Sequence, residues 1–377
     1  MAVIERILFG ATLTMSLPLL AAQLPEERAD AMYHRYDGGG VTVSGPSILA
    51  RKQFGESVSV SANYYVDAIS SASIDVVTSA SPYSEERTET SASIDYLHGN
   101  SLMNLGYTNS EESDYSADTF HFSISQEMFG DLTNVTLGYS RGNDQVRRNG
   151  DPGFSEDITR NSFTLGLSQV VSANTLFALT WETIADQGYL NNPYRSVRYL
   201  DPANPQGYSY EPEIYPNTRT SNALAARLRY HLSYRAALSG EYRFFTDTWG
   251  INAHNAELGY TQPIQDRWTF DLSYRYYTQS AADFYSDLFP LAQAQNYMAR
   301  DKELSSFSSH SVGLGVSYKL LRDDWKLVDS ATLNLSYNFL FFDYQDFRDL
   351  SQPGPVGEEP LYDFSANVLR LYLSIWY

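Results

Sequence analysis

The chain has no cysteine, few bases for its acids, and no long apolar stretch beyond its first twenty residues. Each absence excludes something. Without cysteine an exported chain has no disulfide framework and relies on non-covalent packing. With 26 basic residues against 45 acidic ones the net charge is −19, so nucleic acid is not an expected partner. Past residue 20 nothing supplies the ~20 consecutive apolar residues that a spanning helix needs. On averages alone, with a mean hydropathy of −0.36, this reads as an ordinary soluble acidic protein.

What is present says otherwise. Met1 to Arg6 precedes an apolar run from Ile7 to Leu20, and then Ala21-Ala22-Gln23. This is the layout of a secretory signal peptide over residues 1–22, with Leu20 and Ala22 at the −3 and −1 positions of cleavage. The competing reading is a buried N-terminal helix. Residues 23–30 are then a short periplasmic segment and 31–377 the body of the protein.

That body alternates. Val58, Val60, Ala62, Tyr64 and Val66 interleave with Ser59, Ser61, Asn63, Tyr65 and Asp67. The same period of two runs through Phe120–Ile124, Val135–Tyr139, Leu224–Tyr230, Trp268–Tyr276, Leu333–Phe341 and Leu369–Tyr377. Ten-residue segments with one apolar and one polar face are the signature of a transmembrane barrel strand. Short turns at Gly55-Glu56-Ser57, His98-Gly99-Asn100, Gly130-Asp131, Ser172-Ala173-Asn174, Ser233-Tyr234-Arg235 and Gln265-Asp266-Arg267 alternate with longer connections. Those lie near 69–87, 110–118, 142–158, 186–218, 280–307 and 343–362. Periplasmic turns and extracellular loops sort in this way. The expected fold is all-β: an antiparallel up-and-down transmembrane barrel in the outer membrane.

Outward aromatics fall at two levels. The outer set is Tyr107, Phe120, Tyr139, Phe163, Trp181, Phe244, Tyr276 and Phe341. The periplasmic set is Tyr96, Tyr230, Tyr260, Trp268, Tyr318 and Tyr377. Two girdles around an apolar band match two lipid–water interfaces. The closing segment Leu369–Tyr377 resembles the C-terminal signal that the barrel-assembly machinery reads, so that machinery is an expected partner, with outer-membrane lipid and lipopolysaccharide. Strand parity gives sixteen strands, with fourteen as the alternative. The first strand is expected over Tyr33–Val43, turning at Ser44-Gly45-Pro46.

A barrel of this width leaves an aqueous lumen unless it is filled. Inward positions of the central strands carry Arg227, Arg229, Glu241, Arg243, Glu257, Asp271 and Arg275, with Glu182 and Arg370 elsewhere. One reading is an electrostatic constriction. The other is opposite charges pairing across strands in a lumen that must be polar anyway. Catalytic signals are poor, and neither an enzyme nor a cofactor is expected. His34, His98, His121, His231, His254 and His310 form no spaced metal motif. His254 and His310 point outward without a matched serine, which disfavours an esterase. The acids Asp343, Asp346 and Asp349, or Glu111, Glu112 and Asp114, lack the glycine-punctuated spacing of a calcium loop.

Four stretches, MYHRYDGGGVTVSGPSILARK (32–52), VSVSANYYVDAISSASIDVVTSASPYSEER (58–87), FGDLTNVTLGYSRGND (129–144) and DQGYLNNPYRSVRY (186–199), carry a resemblance. Together they resemble an uncharacterised family of bacterial exported proteins, a domain of unknown function of about this length. The resemblance implies a Gram-negative source and supplies no activity and no catalytic residue.

Overall fold

A computed structural model describes residues 22–70, 84–320 and 328–377. The expected signal peptide, apart from Ala22, and most of the expected loop 69–87 lie outside the described residues. The strands are β1 (Arg28–Gly38), β2 (Val41–Phe54), β3 (Val58–Ser70), β4 (Ser84–His98), β5 (Ser101–Glu111), β6 (Tyr115–Met128), β7 (Thr133–Arg148), β8 (Asp151–Ser172) and β9 (Thr175–Gly188). They continue as β10 (Ser196–Leu200), β11 (Tyr208–Pro212), β12 (Thr218–His231), β13 (Ala237–Asp247), β14 (Asn252–Ile264), β15 (Trp268–Gln279), β16 (Phe307–Leu320), β17 (Ser330–Arg348) and β18 (Leu361–Trp376).

Sixteen of these, β1–β9 and β12–β18, close into one antiparallel barrel. The remaining two, β10 and β11, form a hairpin inside the β9–β12 connection. Closure is made by β18 on β1, paired from Arg28 opposite Trp376 to Gly38 opposite Ala366. In hydrocarbon no water satisfies an open sheet edge, so a spanning sheet must close. The final residue reinforces the seam: the Tyr377 hydroxyl donates to the Arg51 carbonyl on β2 at 2.9 Å, with the Lys52 ammonium over its ring.

The first hairpin differs from expectation. The chain turns at Gly39-Gly40, both with positive φ (60° and 81°), as a tight primed hairpin turn favours. Gly45 and Pro46 therefore lie inside β2. The missing N–H of Pro46 falls where the β2–β3 pairing skips from Ser44–Ala68 to Ser47–Tyr65. Two other expected loops are strand in part. At 142–158 the barrel hairpin continues, turning only at Asn149-Gly150, because Asp144 pairs with Arg160 at 2.7 Å and buries Val146 and Ile158 beside it. At the other site, Asp343 and Asp346 are part of β17.

Alternate residues of the wall face outward and are apolar and exposed, Leu258 at 67% and Leu314 at 55%. Such a belt is an aggregation surface in water and costs nothing in lipid. With the short turns on the periplasmic side, each strand that rises toward the outside carries at least one outward aromatic, among them Tyr33, Tyr64, Tyr107, Tyr139, Trp181, Tyr242, Tyr274 and Tyr337. Five of these hydroxyls are hydrogen-bonded by the same diagonal step to a polar side chain on the next strand. Tyr107 reaches Asp118, Tyr139 reaches Asn161 at 2.9 Å, and Tyr337 reaches Asn367 at 2.6 Å. Tyr242 and Tyr274 reach Nδ1 of His254 and His310 at 2.7 and 2.8 Å. Each ring is thus in the apolar zone and each hydroxyl at its edge. Phe120 and Phe163 lie directly opposite Tyr107 and Tyr139, whereas Phe244 lies one step further out opposite His254, and Tyr276 and Phe341 flank His310. At the other end Trp268 packs on Tyr318 at 4.6 Å, and Tyr96, Tyr230 and Tyr260 lie near the periplasmic turns. On β18 the ten steps from Asn367 to Tyr377 rise ~25 Å at ~3.3 Å per residue and ~40° of tilt, the height of an outer-membrane belt.

The two faces respond differently to charge. Leu179→Arg puts a cation into lipid and is expected to cost ~2–4 kcal/mol, whereas inward Thr180→Arg costs clearly less. Folding titrations into lipid vesicles measure both, and equal losses contradict the facing assigned to these two residues.

Candidate functional site

The register gathers the central charges into one row. Arg227 lies opposite Glu241, Glu241 opposite Glu257, and Glu257 opposite Arg275. The signs run plus, minus, minus, plus across β12–β15, with Arg227 ion-paired to Glu241. The two glutamates are like charges directly opposed, which is unfavourable unless flanking cations hold them. Although it points inward, the Arg227 side chain is 57% exposed, so the described residues leave open space beside it.

One level outward Arg243 reaches Glu182 at 3.3 Å, passing over β12. The inward residues of β12 there are Ala223 and Ala225, short enough to let the pair cross above them. Nearer the periplasm Asp271 accepts from Thr261 at 2.6 Å and Arg229 lies opposite Ser239. Arg370 is apart from this group, on β18 opposite His34 and Ser336, with β16 and β17 between it and β15.

A second inward cluster goes beyond the sequence expectations. His34 Nε2 lies 2.7 Å from Asp67 and 3.1 Å from the Tyr65 hydroxyl, and Arg87 donates to Asp67 at 2.7 Å. The link from β1 to β3 crosses β2 at Gly45, the residue opposite His34. The sequence does hold a signal for it: all four residues occupy inward positions, and a glycine opens the space between them. Arg87 ends the expected 69–87 loop, whereas β4 already begins before it.

The outer mouth holds a packed assembly of connections. Arg198 on β10 is fully buried, bound to Glu359 at 2.6 and 3.2 Å and to Asp287 at 2.9 Å. Arg300 binds Asp287 at 2.8 Å, and Arg195 pairs with Asp301. Around these ions lie Val197, Phe289 and Met298, and a larger group of Tyr215, Trp249, Ile251, Phe284 and Leu304. Segment 280–306 dips inside the wall: its short 3-10 turn, Lys302–Leu304, is buried, and Gln279 donates to the Glu303 and Ser305 carbonyls. Inward aromatics of β16–β18 pack beneath, with Phe342 stacked on Phe364 at 4.5 Å.

This assembly crosses the opening. Tyr194 accepts from the Asn149 N–H in the β7–β8 turn at 2.7 Å and donates to Asp114 at 2.6 Å, while Arg198, four residues on, holds Glu359 in the β17–β18 connection. Those two connections are on opposite sides of the ring, with β1–β6 between them one way and β9 and β12–β16 the other.

A closed sixteen-strand barrel with an apolar outer belt and a charged interior is the fold of outer-membrane β-barrels. The chain belongs to the family described as Protein of unknown function (DUF3570), whose model matches residues 75–163 and 153–328. None of the curated proteins matches it in sequence. Among solved structures it is similar to a bacterial polysaccharide outer membrane secretin, at 8% identity and a TM-score of 0.50, over 94% of this chain and 100% of that one. It is also similar to a FadL homologue from Pseudomonas aeruginosa, at 8% identity and TM-score 0.45, over 93% and 90% of the two chains. A third is a loop-L8 deletion mutant of OmpT, an outer membrane protein of Vibrio cholerae, at 8% identity and TM-score 0.42, over 93% and 98%. At such identities the likeness is one of fold.

Burial pushes the Glu359 carboxyl up, but the Arg198 hydrogen bonds and charge outweigh it and hold it below its ordinary value. A depressed carboxylate contributes stability above its unfolded pKa and loses it as pH falls through the folded one. Protease resistance of segment 189–217 should therefore hold from neutral pH down to about 4 and fail below that. Arg198→Ala leaves the buried Glu359 without its cation and Asp287 with Arg300 alone, and should cost this assembly about 3–5 kcal/mol at neutral pH. Unchanged nicking at 189–217 would contradict the role of the ion pairs.

Proposed function

We propose that the protein is a conduit through the outer membrane whose charged aqueous lumen is closed toward the outside by its own connections. One observation carries this reading: an inward arginine 57% exposed beneath a mouth bridged by packed segments. A filled barrel would bury that side chain. The mixed row Arg227–Glu241–Glu257–Arg275 then governs which small ions or polar solutes pass, as rings of charge do in pores. Outer-membrane lipid and lipopolysaccharide surround the belt, the assembly machinery engages the Leu369–Tyr377 strand, and the chain catalyses no reaction.

The test removes the bridge without touching the wall. Arg195 and Glu213 flank the β10–β11 hairpin and are already hydrogen-bonded, Glu213 N–H to Arg195 O at 3.4 Å. Excising residues 196–212 therefore joins two neighbours. In planar bilayers the intact protein should conduct weakly and the excised variant at least about tenfold more, with Glu241→Gln plus Glu257→Gln shifting its preference toward anions. That shift should shrink at 1 M salt, where screening acts over ~3 Å. A correctly folded, excised barrel that passes no ions overturns the conduit and leaves a barrel that works through its outer surface.

A further inference from the structure

At the periplasmic end the chain crosses the barrel again. Residues 22–27 precede β1. The Ala22 backbone N–H lies against the Glu127 carboxylate, on the inward face of β6 beside its turn. Further along, Gln53 at the foot of β2 donates its side-chain amide to the Pro25 carbonyl at 3.0 Å and its backbone N–H to Glu27 at 3.0 Å. Lys52 adds an ion pair to Glu27 at 2.9 Å. β3, β4 and β5 stand between these two anchors. Along the wall the separation is four inter-strand spacings, ~19 Å or more, and the five steps from Ala22 to Glu27 reach ~18 Å at most. The segment therefore cuts across this part of the mouth as a chord, with side chains completing the reach at both anchors.

Its far anchor is electrostatically incomplete. Glu127 Oε2 is buried with no hydrogen-bond partner, and the Asp131 carboxyl lies beside the same carboxylate. Two adjacent carboxylates, one with a buried oxygen, meet a single neutral amide and no cation among the described residues offsets their mutual repulsion. The sequence supplies one. Hydrolysis of the Ala22–Gln23 amide, the cleavage read from the leader, consumes one water, leaves a carboxylate on Ala22 and frees an amine on Gln23 that takes up a proton. This ammonium forms one residue, ~3.8 Å, from the Glu127 contact, within reach of a flexible glutamate side chain. We infer that Glu127 and Asp131 form the docking site for the α-ammonium created by leader removal, which latches residues 23–27 across the periplasmic mouth. The inference rests on removal of the leader and not on the conduit reading.

The experiment uses the mature protein purified from outer membranes. Its intact mass fixes the N-terminus, and reductive methylation at pH 7 reads the reactivity of the α-amine against exposed Lys319 as an internal standard. An amine held in charge-assisted hydrogen bonds should label about tenfold more slowly in the parent than in Glu127→Gln, with Asp131→Asn in between. Should Glu127→Gln fail to assemble, the comparison of the parent with Asp131→Asn decides the question in the same way. Equal labelling rates overturn the proposal. So does an N-terminus mapped away from Ala22 or Gln23, or a cyclised pyroglutamyl end, which has no ammonium to dock.

Discussion

Everything in this molecule follows from one requirement, that backbone N–H and C=O groups inside lipid find partners within the sheet. The requirement forces the last strand onto the first, and the contact shows how tightly. A methyl group added at Gly38 would lie 2.2 Å from the Ala366 methyl, so the seam admits no side chain there. The terminal tyrosine extends the same closure one strand further by bonding to β2 rather than to its direct neighbour β1. Lipid then fixes the outward face, because each exposed polar group there has an energetic cost. Hence the rising strands place aromatic rings at the belt's edge, and in five of them a tyrosine hydroxyl is turned to the first polar side chain beyond it.

The inward face carries no such constraint, and the chain uses that freedom for charge. Small residues decide which charges meet. Ala223 and Ala225 lower the floor under the Arg243–Glu182 pair, and Gly45 does the same beneath His34 and Asp67. On β16, Gly315 makes room for Asp271, whose Cβ would lie only 3.1 Å from an added methyl. Inward alanines and glycines thus make room for ionic groups, and in the first two cases for links two strands apart. A pairwise reading of neighbouring strands finds Arg227–Glu241 but overlooks these longer links.

That contrast explains what is legible in the sequence. Alternation identifies the wall because lipid enforces it, and the sixteen strands follow from direction and parity. The lumen row can be anticipated since register in a barrel follows from its turns. The first turn is misleading because Ser44-Gly45-Pro46 carries a strong turn signal, yet Gly39-Gly40 fits the primed geometry better. The 142–158 hairpin reads as loop because above the belt neither face needs to be apolar, and its Asp144–Arg160 pair leaves no periodic trace. The mouth assembly is illegible for another reason. Arg198 and Glu359 are 161 residues apart, and nothing local marks either as buried.

The two ends of the barrel are consequently built on different physics from its wall. The wall is held by a continuous ladder that cannot open locally without exposing backbone to hydrocarbon. The mouth is held by ions: Arg198 between two carboxylates, Arg300 on one of them, Arg195 on Asp301. Buried ion pairs contribute little net stability once desolvation is counted, but losing one partner leaves the other uncompensated. An assembly of this kind is therefore firm while every charge is matched and yields cooperatively when one is lost, whereas an apolar plug would lose strength only in proportion to each contact removed. The periplasmic strap obeys the same logic with fewer groups, because one Glu127 oxygen is buried and Asp131 stands beside it. Rigidity in the wall and charge-dependent closure at the ends divide the molecule along the boundary that the lipid imposes.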